Sequence, residues 1–260
     1  MSGDVETLRI RVLLRFDPDF DFFLPRASRG GVVEKSPGHS TTLKDLVESC
    51  GVPHTEIGAL ILNGRGPASF STHVTDGDLV DIFPVLPFML NRPSLQPLPG
   101  ESAGFIADIH LGRAARRLRL LGFDTAWFTG REDRELLDIM EAEGRILLTR
   151  DRRLLMNNRV VLGCCVRSEH LPEQIRQVLH RYSLAGRARP FSRCIACNSP
   201  LEERKKETVN ALLEPKTRRY YEKFHGCPRC GKVYWEGSHM PSLQAFVHEV
   251  LGAGRDHSVL

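Results

Sequence analysis

The sequence predicts an α/β fold, a small parallel sheet flanked by helices, with a smaller α+β unit in front of it and a compact cysteine-bearing module behind it. Three observations predict this. Beyond residue 104, short continuous apolar strands alternate with helical patterns, as strands buried on both faces do. Before residue 84 the order is strand, strand, helix, strand, strand, opening with a period of two. Two Cys-x-x-Cys pairs follow, at 194–197 and 227–230. A chain of 260 residues, 41% hydrophobic, has room for two domains at roughly 100 to 200 residues each. No apolar run approaches the about 20 residues of a membrane helix, and residues 1–16 carry charges where a signal peptide would be apolar; a cytoplasmic location and no membrane contact are expected.

In "LRIRVLLRF", Leu8, Ile10, Val12, Leu14 and Phe16 alternate with mostly charged neighbours and mark a half-buried strand. The strand "GVVEK" follows, then the helix "TTLKDLVESCG", capped by Thr41 or Thr42 and stopped by Gly51. The strand "IGALILNG" and a turn into "DGDLVDIFP" complete ββαββ. A helix crossing a small mixed sheet is the β-grasp plan, and residues 1–84 resemble the ubiquitin-like, sulfur-carrier-like domains. Such carriers end in a reactive Gly-Gly tail, whereas this last strand runs into Pro84 and more chain. A docking or scaffolding role toward a protein partner is therefore expected. Asp76-Gly77-Asp78 lacks the remaining ligands of a calcium loop and reads as a hairpin turn. Residues 84–104 hold five prolines and no regular period; the linker is placed at 85–103, as an extended, semi-stiff spacer.

The α/β region is placed at 104–186. Its strands are "GFIAD", "TAWF", "RILLTRD" and "RVVLGCCV", and its helices "LGRAARRLRLLG", "EDRELLDIMEAEG", "RRLLMNN" and "LPEQIRQVLHRY". Ligands of such sheets gather outside the carboxyl ends of the strands. Asp108 follows the first strand, Asp133 the second and Asp151 the third, so all three face that edge, while Asp124 belongs to the opposite rim. Carboxylates meeting without a neutralising partner would repel, so the arrangement makes sense around a cation, and oxygen ligands favour Mg²⁺ or Mn²⁺. Each acid taken alone reads as a helix cap; taken together at one edge they favour the metal.

The bases around them suit a phosphodiester. Arg113, Arg116 and Arg117 fall at i, i+3 and i+4 on one helix face, and Arg150 and Arg152 flank Asp151; all five are candidate RNA contacts, although any one of them also reads as a solvated face. Residues 1–100 carry 9 Lys and Arg against 12 Asp and Glu, whereas residues 101–260 carry 27 against 20, so the second part is the one to meet a polyanion. His110 reads as a helix-surface residue rather than a general base.

Cys194, Cys197, Cys227 and Cys230 have the count and pairing of a tetrahedral Zn²⁺ site. Four thiolates leave no position open for water, so the zinc is expected to be structural, in a ribbon placed at 187–240. Its insert, "EERKKE" and "KTRRYYEKFH", suits RNA and equally suits a solvated hairpin whose tyrosines pack on the ribbon. Cys164 and Cys165 read as core, and Cys50 as a helix-end thiol. Residues 241–260 read as a helix capped near Ser242 and a frayed tail.

"FIADIHLGRAARRLRLLGFD", Asp133 and "EGRILLTRD" resemble the motifs of the Mut-seven C-terminal ribonuclease family, a branch of the PIN-like nucleases in which a zinc ribbon commonly follows the catalytic core. "GVPHTEIGALILNG" and "DGDLVDIFP" resemble the ubiquitin-like domain that many bacterial members carry in front. The resemblance covers nearly the whole chain in the same order. It implies a PIN-like fold, divalent-metal-dependent RNA cleavage and metal-binding acids at Asp108, Asp133 and Asp151. PIN nucleases often use a fourth acid; Glu135 and Asp138 are nearest, and Glu169 follows the fourth strand. The resulting expectation is metal-assisted hydrolysis of RNA, the alternative being a non-catalytic RNA- or protein-binding adaptor that uses the ribbon and the basic helix.

Overall fold

The computed structural model describes residues 10–38, 40–85, 94–97, 99–100 and 103–252. In the leading unit, β1 (Val12–Phe16), β2 (Val32–Lys35), β3 (Ile57–Leu62) and β4 (Leu79–Pro84) form one sheet in the order β2-β1-β4-β3. β1 pairs antiparallel with β2 and parallel with β4, and β3 pairs antiparallel with β4. The period of two buries Ile10, Val12, Leu14 and Phe16 together; Leu8 lies outside the described residues. Against this face packs α1 (Leu43–Glu48), whose first turn is closed by Thr42 Oγ1 accepting from Asp45 N at 3.2 Å.

Two expectations for this unit need correction. Asp76–Asp78 is no hairpin apex, since residues 63–78 all separate β3 from β4. It is a turn at the entry to β4, with Asp76 Oδ1 accepting from Arg11 N and Asp78 Oδ2 from Thr75 N, both at 2.7 Å. The described part of the proline-rich segment does not stand free as a spacer. Leu95 N donates to Gly58 O at 2.9 Å on the edge strand β3, and the buried Gln96 donates from Nε2 to His54 O and Ile57 O. A short segment thus covers an exposed sheet edge. Residues 86–93, 98 and 101–102 lie outside the described residues.

The second unit alternates as its apolar pattern predicts: β5 (Phe105–Ala107), α2 (Gly112–Leu120), β6 (Thr125–Trp127), α3 (Asp133–Glu143), β7 (Ile146–Thr149), α4 (Arg152–Leu155), β8 (Gly163–Cys165) and α5 (Leu171–Arg181). The sheet is parallel throughout, in the order β6-β5-β7-β8. The fourth strand is shorter than expected, because a turn over residues 157–160, closed by Val160 N on Asn157 O, and a bend at 161–162 precede it.

Successive strand residues divide between two cores. Phe105, Ala107, Ile146, Leu148 and Cys164 pack with α2, α5 and the last helix, α8 (Met240–Gly252). Ile106, Leu147 and Cys165 face the other way, into a core that takes in α3, α4 and the whole interior of the leading unit. The leading unit is therefore one of the covers of the parallel sheet.

The last module carries β9 (Glu202–Arg204), β10 (Phe224–Gly226) and β11 (Val233–Tyr234), antiparallel in the order β11-β10-β9. Its insert is two short helices, α6 (Lys206–Val209) and α7 (Pro215–Tyr220), rather than a hairpin. Val209, Leu213 and Phe224 form a small core of their own, on which Tyr221 packs while Tyr220 stays exposed. α8 begins two residues before Ser242, whose hydroxyl donates back to His239 O at 2.9 Å. Residues 253–260 lie outside the described residues. No described helix is long and apolar enough to cross a membrane.

Candidate active site

The chain runs from β5 outward to β6 on one side, then crosses to β7 on the other. The carboxyl ends of β5 and β7 therefore flank the point where the strand order reverses, the position at which open parallel sheets bind ligands. Asp108 and Asp151 stand on either side of it. Asp108 is buried, 6% exposed; its Oδ1 accepts from His110 N at 2.8 Å, and its Oδ2 from Arg150 N at 3.2 Å and from the Thr149 hydroxyl. The same hydroxyl accepts from Asp151 N at 2.9 Å. Thr149 thus joins the two acids, a role carried in the sequence only by one polar residue at the end of an apolar strand.

Both acids also cap helices. Asp108 starts the 3-10 turn Ile109–Leu111 that precedes α2, and Asp151 Oδ1 accepts from Arg153 N at 2.7 Å and Leu154 N at 3.4 Å at the head of α4. Asp133 is different. It is the first residue of α3, exposed, six residues beyond the end of the neighbouring strand β6, with Glu132 in the capping position. The three acids share one edge without closing to mutual ligand distance: among the described residues, the four cysteines are the one group of three or more such side chains with donor atoms within 4.8 Å of one another. The donor chemistry nonetheless fits a hard cation, since Mg²⁺ keeps several waters and binds through one or two carboxylates. Of the further acids, Asp138 is paired with Arg159 at 2.6 Å, Glu135 with Arg131 at 3.7 Å, and Glu169 with Arg150 at 3.1 Å across the ends of β7 and β8.

An open cleft of about 620 Å³ runs beside Asp151, walled by Arg150, Arg152, Arg153 and Met156 on one side and by Glu48, Ser49 and Gly51 of the leading unit on the other. That second wall is held in place by contacts sequence reading missed. Glu56, 1% exposed, accepts from Cys165 N at 2.7 Å and Arg181 Nη1 at 2.9 Å, with Arg167 Nη2 at 3.4 Å. His54 bridges Glu48 and Val160 O. The only signal was an acid inside the apolar run "HTEIGALI".

The arginines divide by what they touch. Arg152 donates to Phe22 O and Phe23 O and lies over both phenylalanine rings, so its guanidinium is engaged at the junction of the two units. Arg113 and Arg116 are exposed on α2, Arg116 over the Trp127 ring at 5.7 Å. Arg117 lies over Phe246 of α8 at 4.6 Å; burial, then Arg113, pull its guanidinium below the usual value.

The cysteine site sits at the opposite rim. Cys194 and Cys230 Sγ are 3.6 Å apart and Cys197 and Cys227 3.3 Å, with the Tyr234 hydroxyl 3.0 Å from Cys194. Four convergent sulfurs at these separations fit tetrahedral Zn²⁺. Arg119, buried against expectation for an arginine, donates to Thr125 O, Ile195 O and Ala196 O and fixes the first knuckle to the foot of α2. Asn198 accepts from Thr125 N at 3.0 Å and donates to Asp124 at 2.8 Å. The zinc ligands are thus mounted at the start of β6, the end of the sheet away from the acids.

A family model described as the Mut7-C RNAse domain matches residues 103–247, and one described as Mut7-C ubiquitin matches residues 10–89. No curated protein and no solved structure matches the chain.

Proposed function

The chain belongs to the Mut7-C RNAse domain family, with a ubiquitin-like domain in front, and from that premise we propose that it hydrolyses RNA phosphodiester bonds, with a divalent cation, at the edge formed by Asp108, Asp133 and Asp151. The observation that carries this is the meeting of Asp108 and Asp151 through Thr149 at the switch point of the parallel sheet, with Asp133 opening the helix that follows the adjoining strand. A bound Mg²⁺ or Mn²⁺ would supply a water of lowered pKa and an electrophile for the phosphoryl oxygens.

The residues do the rest. Asp108, fixed by three donors, holds one carboxylate still at the floor of the edge. Asp151 offers its second oxygen to the cleft while the first is kept by α4. Arg150, exposed and paired with an 83% exposed Glu169 side chain, exchanges that weak ion pair for a phosphate, because an exposed pair contributes little. Arg113 and Arg116 extend the positive face along α2. Arg152 belongs to the scaffold of the cleft and orients Asp151 through the chain.

The capping bonds of Asp108 and Asp151 also suit the adaptor reading, and one experiment decides between them. Labelled single-stranded RNA is incubated with zinc-loaded protein and Mn²⁺ or Mg²⁺, or with a chelator selective for those ions, using wild type and Asp151→Asn. Metal-dependent products that vanish in the variant, with RNA binding retained, support the nuclease. Binding without cleavage under either metal makes the adaptor the better account.

A further inference from the structure

The ribbon meets α2 and α8 over a cavity of about 180 Å³. Its walls are apolar, from Leu120, Phe191, Met240 and Leu243, and its mouth carries the Trp235 indole, 38% exposed, with His225 of β10 and Lys223 just before that strand. The volume is below the roughly 300 Å³ at which sites for drug-sized ligands begin, and suits one flat heterocycle. Trp235 Nε1 and Lys223 Nζ have no partner among the described residues. Arg193 also lines the cavity but is committed to Asn198 O at 2.6 Å, and Glu236 is the one carboxylate there.

The position of this cavity says what reaches it. Leu120 stands seven residues after Arg113, four after Arg116 and three after Arg117, so all four share one face of α2. α2 starts beside Asp108 at the acidic edge and ends at the cavity, nine residues on, a length of about 13 Å. A line of guanidinium groups therefore connects the acids to an aromatic-lipped apolar pocket with two more basic side chains at its mouth. Single-stranded nucleic acid asks for that combination, phosphates on the bases and a ring on the aromatic.

We propose that the cavity between the ribbon and α8 is a base-binding subsite, taking one nucleobase of the RNA strand whose phosphodiester lies at the acidic edge. The base stacks on Trp235, and the phosphate beside it meets Lys223 and His225. The proposal rests on the nuclease reading for the place of the phosphodiester at the acidic edge, and its test is a binding measurement, so the two fail separately.

Affinity for oligouridylates and oligoadenylates, from a dinucleotide to a dodecamer, is measured on full-length, zinc-loaded Asp151→Asn protein, which leaves the RNA uncut. The expected result is a step in affinity at the length that first spans α2. Trp235→Ala should lose that step, weakening the longer RNAs roughly 5- to 100-fold, the range for one lost base stack, while Trp235→Phe retains most of it. Lys223→Glu, at an exposed position, should lower the step without touching the core. Equal length dependence in Asp151→Asn protein with and without Trp235→Ala or Lys223→Glu would overturn the subsite and leave the cavity to some other partner. Failure of wild-type protein to cut RNA would instead sink the nuclease reading while leaving this comparison intact.

Discussion

Thr149 is the smallest group on which the acidic edge depends, because its one hydroxyl donates to Asp108 and accepts from Asp151 N. Thr149→Val keeps the shape, takes one of its three donors from Asp108 and removes the acceptor of Asp151 N; losing a hydrogen bond to a charged group costs about 1.5–3 kcal/mol, measurable by urea unfolding, and cleavage should fall well beyond that loss of stability. The cysteines separate just as cleanly. Cys50, Cys164 and Cys165 lie in the two apolar cores, where burial raises all three thiols and the fold keeps a reagent out. Native protein stripped of zinc should therefore take up a thiol reagent at four sites of its seven cysteines, and zinc-loaded protein at none. The place of Asp108 and Asp151 at one sheet edge and the grouping of the paired cysteines were legible in the sequence because each stands in local contrast to its neighbours. The engagement of Arg152 was not, since its acceptors lie 129 and 130 residues away.

At the scale of elements, the foot of α2 carries the ribbon, and two residues there make it testable. Gly122 takes φ +90°, and a Cβ would come within 2.2 Å of Arg189 O. Gly122→Ala should lower the melting temperature and loosen zinc, because both the backbone conformation and the crossing chain exclude it. Burial pushes the Asp124 carboxyl up, but Arg145, Asn198 and Arg193 outweigh it and hold the group below its usual range. A carboxylate depressed in the folded state adds stability above its unfolded pKa of about 3.9, and loses it as pH falls through the folded value. The melting temperature of Asp124→Asn should accordingly lie below wild type at pH 7, and the difference should close in acid. Element types were readable from the period of the apolar residues. What periodicity could not supply was the short helices α6 and α7, whose small private core of Val209, Leu213 and Phe224 forms only once β10 returns beside them.

The whole molecule is held by a core that ignores its domain boundary. Ile106, Leu147 and Cys165 of the parallel sheet pack in one cluster with the interior of the ubiquitin-like domain, and Glu56 carries a buried charge across the junction to Arg181 and Arg167. Removing one partner of a buried pair costs about 3–5 kcal/mol, so Glu56→Ala should show that loss in a single cooperative transition, with Glu56→Gln milder. Two separate transitions would mean that the domains melt independently. A docking role was the natural reading of a β-grasp unit whose last strand runs into Pro84 and more chain instead of a Gly-Gly tail. Its contribution of a wall to the cleft beside Asp151 depends on contacts more than 100 residues apart, which no local pattern encodes.

The measurement that bears most directly on the carboxylate edge is the single-turnover cleavage of one labelled RNA in Mg²⁺ by wild type, Asp108→Asn, Asp133→Asn and Asp151→Asn. Asp133 is the discriminating case, being exposed at α3 with no capping bond to lose. If the three acids act together on one cation, each substitution lowers the rate at least about 100-fold, some 2.7 kcal/mol in barrier, and Asp133→Asn does so with an unchanged melting temperature. Cleavage at the wild-type rate by all three variants would place the chemistry elsewhere.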